Sequence, residues 1–398
     1  MKIKIVSLFI ISCMLFMSLP LQSQNNNAAA LPSYKIGLFA PLYLDSIFTD
    51  NNFKYKQGFP KFILPALDFV QGAEIALDSM SLDNAHLKVN IYDSRSYKES
   101  ISYLVKSKRL DSLDLIIGSV KDADYKQLAD FALAKNIPFI SATYPNDGGI
   151  TGNPFTLIIN STLKSHCEAI YSYILQNHGT DKIYLVRQKG AQEDKIAAYF
   201  SQLNEQEGRP LLNIQTILFD SIGAIPKIVN KLDSNRQNVL IGGSLDENFA
   251  GALAKTCQEV YHSYSKLTLI GMPNWYSFKV FNNKEVLKDF PVYYTSPYWN
   301  AKLDSFSKVL TNAYAIKFKT KPSDMAFKGF EAMHLFSTLL IKHPNDLMSN
   351  LNDKTCKVFC DYTFKPVLLK KGNASPDYFE NKHLYFIRIL NGTESKAW

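Results

Sequence analysis

DLIIGSVKDADYKQLADFALAKNIPFISATYP (114–145) and NVLIGGSLDENFAGALAKTCQEVYHSYSKLTLIGMPNW (238–275) repeat one pattern. In each, an apolar run ends at Gly-Ser or Gly-Gly-Ser, an amphipathic helical stretch follows, and a second apolar run ends in small, polar and aromatic residues. That is a strand, helix, strand unit. Its helix packs on a parallel sheet, and the loops at the strands' carboxyl ends form a binding edge. Two copies predict two similar lobes with a cleft between them.

The flanking sequence extends each unit. YKIGLFAPLYLD (34–45) reads as a buried first strand running into a loop that carries Tyr43, a candidate ligand contact. FVQGAEIALDSMS (69–81) has helical periodicity, with Val70, Ala73, Leu77 and Met80 on one face. HLKVNIYDSRS (86–96) alternates like a strand, and ESISYLVKSKRL (99–110) is the next helix. Beyond the first unit come an apolar run, FTLIINST (155–162), and a helix over 165–179 ended by Gly179. DKIYLVRQKG (181–190) and QTILFD (215–220) then restart the alternation ahead of the second unit. Such an order predicts an α/β chain with doubly wound parallel sheets.

After FPVYYTSPYWN (290–300), a strand ending in aromatics, the chain returns to helices over 303–322 and 324–343. CDYTFKPVLL (360–369) and HLYFIRILNG (383–392) read as an antiparallel pair. The lobes are therefore expected to be discontinuous: residues 32–158 plus 299–345 in the first, and 159–298 plus 346–398 in the second.

A chain of 398 residues holds two or three ordinary cores. With 46% hydrophobic and 20% charged residues it reads as globular. Lys2 and Lys4 precede VSLFIISCMLFMSLPL, of signal-peptide character, so residues 1–23 are expected to be removed on export and 24–31 to be a linker. Ile10-Ile11-Ser12-Cys13 offers a lipoprotein alternative, although the apolar run continues past Cys13. No later segment has the roughly 18 uninterrupted apolar residues of a membrane span. The net charge of +8 is scattered, which suits a solvated surface and predicts no nucleic-acid partner. The four later cysteines, Cys167, Cys257, Cys356 and Cys360, are too few for a disulfide scaffold and form no zinc pattern. Pairing of Cys356 with Cys360 across a turn stays open.

No nucleophile elbow, zinc-protease helix, phosphate loop or dinucleotide fingerprint is present, and no cofactor or metal is expected. His166 and Cys167 are neighbours on a helix and point in different directions, which argues against a thiol–imidazole pair. The candidates are instead binding residues at strand ends. Ser119 and Ser244 occupy matching places after the two glycine turns, where hydroxyls and free amides suit a carboxylate or simply cap a helix. Ser141, Thr143 and Tyr144 end one second strand, and Asn274 and Trp275 end the other. Tyr298 ends the strand at the crossover. These aromatics suit a stacking platform or packing between lobes.

Several motifs taken in order resemble the type I periplasmic binding proteins, in particular the branched-chain amino-acid receptors of ABC importers. They are Ile36-Gly37-Leu38 to Pro41, Gln71-Gly72-Ala73, IIGSV with NIPFISAT, VLIGGS with LIGMPNW, and YYTSPYW followed by YAIKFKTKP and FKGFEAMHLF. The resemblance implies two lobes joined by three crossovers, closing over a small-molecule ligand without chemistry on it, in the periplasm, with an ABC permease or another envelope protein as partner. It places first-lobe contacts at Ser119, Ser141 and Thr143, and second-lobe contacts near Lys189, Ser244 and Asn274 to Trp275. Amino-acid receptors of this group carry an acidic residue after the strand matching LTLIGM, and Pro273-Asn274-Trp275 offers none. The segment 45–66 is longer than the usual first loop and is expected at the cleft mouth. FAPLYLD and LDFVQGAEIALDSM are most similar to binding-fold domains of Bacteroidetes envelope proteins, often joined to LysM repeats. No LysM repeat occurs here, and that likeness supports an envelope scaffold or sensor as the alternative. Asp-Ser followed by an aliphatic residue or Met, at Asp45, Asp78, Asp111 and Asp220, resembles an O-glycosylation sequon and equally fits capping.

Overall fold

The computed structural model describes residues 31–398 apart from 51, 57, 81–85, 264–265, 371 and 373. The expected signal peptide, and the linker up to residue 30, lie outside the described residues.

The chain builds the first sheet with β1 (Ser33–Ala40), β2 (His86–Asp93), β3 (Leu115–Gly118), β4 (Phe139–Ser141) and β5 (Thr156–Ile158). Helices α1 (Leu64–Ser79), α2 (Ile101–Lys106) and α3 (Asp122–Lys135) connect them. It then crosses to the second sheet through α4 (Leu163–Asn177), whose start is capped by the Thr162 hydroxyl. There it lays down β6 (Lys182–Gln188), α5 (Ala191–Asn204), β7 (Ile214–Phe219), β8 (Asn238–Gly242), α6 (Glu247–Val260), β9 (Leu267–Ile270) and β10 (Val292–Ser296). A second crossing leads to α7 (Ser305–Phe318) and α8 (Asp324–Lys342), which pack on α1 of the first lobe. β11 (Phe364–Val367) and β12 (Tyr378–Asn381) follow, and a third crossing reaches β13 (Tyr385–Leu390) and β14 (Thr393–Lys396).

Each sheet has seven strands, ordered β11-β12-β5-β4-β3-β1-β2 and β7-β6-β8-β9-β10-β13-β14. Pairing is parallel except at β11, β13 and β14. Central strands such as β3 and β8 are buried along their whole length, as a parallel sheet covered on both faces requires.

The two α/β series and the three crossovers match the sequence expectation; the tail does not. β11 and β12 pair with each other and extend the first sheet through β5, while β13 pairs with β10 in the second. CDYTFKPVLL and HLYFIRILNG are therefore not partners, and residues 364–381 belong with the first sheet. The strand Tyr-Phe-Glu-Asn escapes hydropathy reading because its buried Glu380 and Asn381 are polar.

The glycines of Gln71-Gly72-Ala73 and Phe327-Lys328-Gly329 have a shared cause. A Cβ on Gly72 would meet the Ala326 carbonyl oxygen at 1.9 Å, and one on Gly329 would meet that of Phe69 at 1.9 Å. Only the absence of a side chain lets α1 and α8 cross this closely. That contact fixes α8, and α8 carries part of the cavity floor described next.

Candidate functional site

A cavity of about 880 Å³ opens between the lobes. Its first-lobe wall comes from loops after β4 and β5, including Asn146, Asp147 and Asn160, and from Tyr378 of β12. Its second-lobe wall is formed by His166, Lys195, Leu245, Asn274, Tyr294 and Glu394. Tyr298 and Trp299 of the middle crossover, Lys328 and Glu331 of α8, and Cys360 complete it. The lining thus draws on both sheets and on the segments joining them.

Of the sequence candidates, Asn274 and Tyr298 reach this cavity. Asn274 donates from Nδ2 to the Leu245 carbonyl at 2.9 Å, leaving Oδ1 without a protein donor. Tyr298 donates its hydroxyl to the Ala142 carbonyl of the first lobe, and burial raises its pKa well above the ordinary phenol value.

The other candidates are placed elsewhere. Ser119 and Thr143 share a hydroxyl–hydroxyl bond of 3.0 Å, and the Ser141 hydroxyl is buried without a partner. Tyr144 donates to Asp122 at 3.1 Å and packs its ring on Tyr125. Tyr43 is held through its backbone amide by Asp93 at 3.0 Å, with its ring edge-on to Phe62. Lys189 pairs with Asp220 at 2.7 Å on the open surface. Ser244 donates to buried Glu193 at 2.6 Å and accepts from the Asp246 amide. The helix caps fall at Lys121 and Asp246, so neither Ser119 nor Ser244 is the capping residue itself.

Trp275 is core. Its ring is fully buried, stacks on Phe281 at 5.3 Å, and donates Nε1–H to the Ser244 carbonyl at 2.9 Å. A Cβ on Gly242 or Gly271 would come within 2.3 or 2.1 Å of the indole. Glycine at both β-strand ends is thus what admits the indole. None of the described residues of the insertion at 45–66, expected at the cleft mouth, lines the cavity.

Sequence reading placed α8 but not its part in the cavity wall. FKGFEAMHLF looks like an ordinary core helix, and its only unusual signal is Lys328 and Glu331 at i, i+3 among apolar residues. Glu331 is spent on structure: it accepts from the Phe359 and Cys360 amides at 3.0 and 2.6 Å and from the Tyr362 hydroxyl at 2.8 Å. Burial raises its pKa, and these donors act against that rise. Lys328 places Nζ 4.1 Å from the centre of the Tyr298 ring, and burial lowers its pKa.

Each carboxylate on the cavity wall has at least one hydrogen-bond or ion-pair partner. Asp147 accepts from the Gly149 amide at 2.9 Å, Asp324 pairs with Lys302 at 3.0 Å, and Glu394 accepts from Tyr294 at 2.8 Å. Lys164, Lys195 and Lys328 line the same space, and among the described residues none has a carboxylate within 4 Å. Of the cavity-wall carboxylates only Asp324 has a cation partner among the described residues, so unpaired lysines and hydrogen-bonded carboxylates face the same space.

The adjacent His166 and Cys167 supply no catalytic machinery. Burial pushes the Cys167 thiol up to about 12 and the His166 imidazole down to about 3, and His166 Nδ1 lies 2.7 Å from the Thr295 hydroxyl. All four cysteines of the described chain are buried and unpaired, Cys356 and Cys360 included. No helix among the described residues is long and apolar enough to cross a membrane.

Comparison with known proteins agrees with this architecture. Residues 68–344 match the family model described as periplasmic binding protein. A branched-chain amino acid ABC transporter periplasmic ligand-binding protein from Burkholderia xenovorans is similar at 13% identity, with a TM-score of 0.58 over 92% of this chain and 94% of that one. An ABC transporter substrate-binding protein from Desulfitobacterium hafniense aligns at 11% identity with a TM-score of 0.59, covering 92% of this chain and all of its own. At these identities the likeness is one of fold. No curated protein matches the sequence.

Proposed function

We propose that this chain, which belongs to the periplasmic binding protein family, is a non-enzymatic receptor that captures a small polar or ring-containing solute between its lobes and passes it to an ABC importer. One observation carries the reading: the 880 Å³ cavity is walled by both sheets and by the crossovers that join them. Its size is within the range of small-molecule sites. A solute touching both walls stabilises the closed arrangement through contacts that an open one lacks. Tyr298, bonded to Ala142 across the crossover, supplies a fixed aromatic face.

A thermal-shift screen of amino acids, peptides, sugars, organic acids and muropeptides tests this. A ligand at a hundred times its Kd is expected to add about 2.7 kcal/mol of stability. Silence across all classes rejects the receptor reading.

The insertion supports the envelope-scaffold alternative. Phe48, Tyr55, Phe59 and Phe62 are exposed, and Phe53 packs beside Phe48, Tyr55 and Phe59. Lys54, Lys56 and Lys61 alternate with them. Aromatic faces interleaved with ammonium groups suit an acidic envelope glycan. On this reading the protein co-sediments with purified peptidoglycan sacculi, and the double substitution F59S/F62S, at exposed positions, releases it without lowering stability. Wild-type protein that stays in the supernatant removes the alternative.

A further inference from the structure

We propose that β7, the outer strand of the second sheet, is a pairing edge for a second copy of this chain, the two copies joining antiparallel into one continuous sheet.

Each sheet ends in two edge strands, and an unpaired edge invites another strand. Three of the four edges are guarded. β2 carries Lys88 and Asp93, β11 carries Lys365 and Pro366, and β14 carries Glu394 and Lys396. β7 reads Ile-Gln-Thr-Ile-Leu-Phe, six residues rich in strand formers with no charge and no proline. Gln215, Thr216 and Leu218 are nonetheless exposed, Leu218 at 44%. Among the described residues no strand pairs with the outer side of β7.

Beside that edge lies a pocket of about 340 Å³. Leu185 of β6, Ala197 and Phe200 of α5, and Ile214 of β7 give it apolar walls, and Thr216 also lines it. Side chains alternate along a strand, so Ile214, Thr216 and Leu218 share one face. Antiparallel pairing about Thr216 sets Leu218 of the second copy opposite Ile214, and pairing about Ile217 sets it opposite Thr216. Either register brings the exposed leucine of one copy to the pocket wall of the other, and two-fold symmetry makes the exchange mutual. The edge thus supplies both the knob and the hole.

The strand's two ends are complementary as well. Leu211 precedes β7 and Ile222 follows it, 46% and 39% exposed, and antiparallel pairing brings each toward the other's counterpart. The exposed Lys189–Asp220 pair stands at the carboxyl end of β7. A hairpin that pairs Glu205-Gln206 with Arg209-Pro210 leads into its amino end. Among the described residues Glu205, Glu207 and Arg209 have no ion-pair partner, so charges of both signs on the hairpin of one copy meet Lys189 and Asp220 of the other. None of residues 205–222 lines the solute cavity, so this pairing does not compete with solute.

Paired edge strands with these side chains make an interface at or below the low end of the roughly 1,200–2,000 Å² that stable complexes bury, so a reversible dimer with a Kd of about 10 μM is expected. Sedimentation velocity on the processed full chain, at concentrations either side of that value, tests it. L218K and T216K each place an ammonium on the edge at an exposed position and are expected to weaken the dimer about 10-fold or more. I91K, on the exposed face of edge strand β2, is expected to leave it unchanged. The double variant T216C/L218C is expected to join two copies covalently under mild oxidation in either register, the native cysteines being buried. Urea midpoints equal to wild type show that the lysine variants report pairing and not folding, and the cysteine variant reports pairing independently of them. A wild type that stays monomeric throughout overturns the proposal and leaves the edge to another chain. A dimer that neither lysine weakens, or that I91K weakens equally, also overturns it. So does growth beyond the dimer, the mark of an open edge that aggregates.

Discussion

Trp275→Ala is expected to destabilise the protein by about 3–5 kcal/mol while leaving solute affinity per folded molecule unchanged. The indole is fully buried, stacked on Phe281 and bonded to the Ser244 carbonyl. Alanine leaves a ring-sized void between Gly242 and Gly271, which bring no atoms to fill it, and orphans a buried acceptor. Urea unfolding supplies the stability change, and calorimetry on the folded fraction supplies the affinity. A ligand-contact role makes the opposite forecast, with binding lost and stability kept, so one variant separates the two assignments. If the urea midpoint barely moves, Trp275 is not the core anchor that its packing indicates.

The same residue shows how far the sequence can be read. Gly-Gly-Ser after β8 and Gly-Met-Pro-Asn-Trp after β9 mark strand ends correctly, because a parallel strand covered on both faces must be an apolar run and must end where backbone turns. What the small residues are for is a separate matter. Gly242 and Gly271 make room for an indole, and Ser244 anchors Glu193. In the linear sequence a glycine that admits a ligand and one that admits a neighbouring ring look alike. Lys328 was hidden for a related reason: the period of α8 announces a core helix, and whether Lys328 finds a partner depends on Glu331, Phe359 and Cys360, whose meeting is tertiary. β12 was hidden because its buried face is polar. Patterning reports where apolar surface goes, so a strand that buries Glu380 and Asn381 leaves no trace in it.

Those two residues stitch the crossovers together, and Glu380→Ala is expected to cost about 3–5 kcal/mol, the magnitude of breaking one partner out of a buried ion pair. The Glu380 side chain is 1% exposed. It accepts from the Thr162 amide at 2.6 Å and pairs with Lys382 at 2.8 Å, so it ties the crossing into α4 to the crossing into β13. Lys382 also reaches Glu168 at 3.1 Å, and Ser161 donates to the Asn381 carbonyl at 2.7 Å. Burial alone would lower the Lys382 pKa, yet Glu380 and Glu168 hold it above the ordinary lysine value. The sign follows: the stability that this pairing contributes is fully present below the unfolded-state pKa of about 10.4 and fades as pH rises through the higher folded value. Removing Glu380 strips one of the two carboxylates and leaves the Thr162 amide unpaired, so the variant is expected to lose stability at neutral pH and to show a shallower further loss in alkali. Urea midpoints at pH 7 and pH 11, taken for wild type, E380A, K382M and the double variant, decide it. A coupling energy near zero, or an alkaline loss as steep in E380A as in wild type, means the crossovers are held by Ser161 and Asn381 alone and the ion pair is incidental.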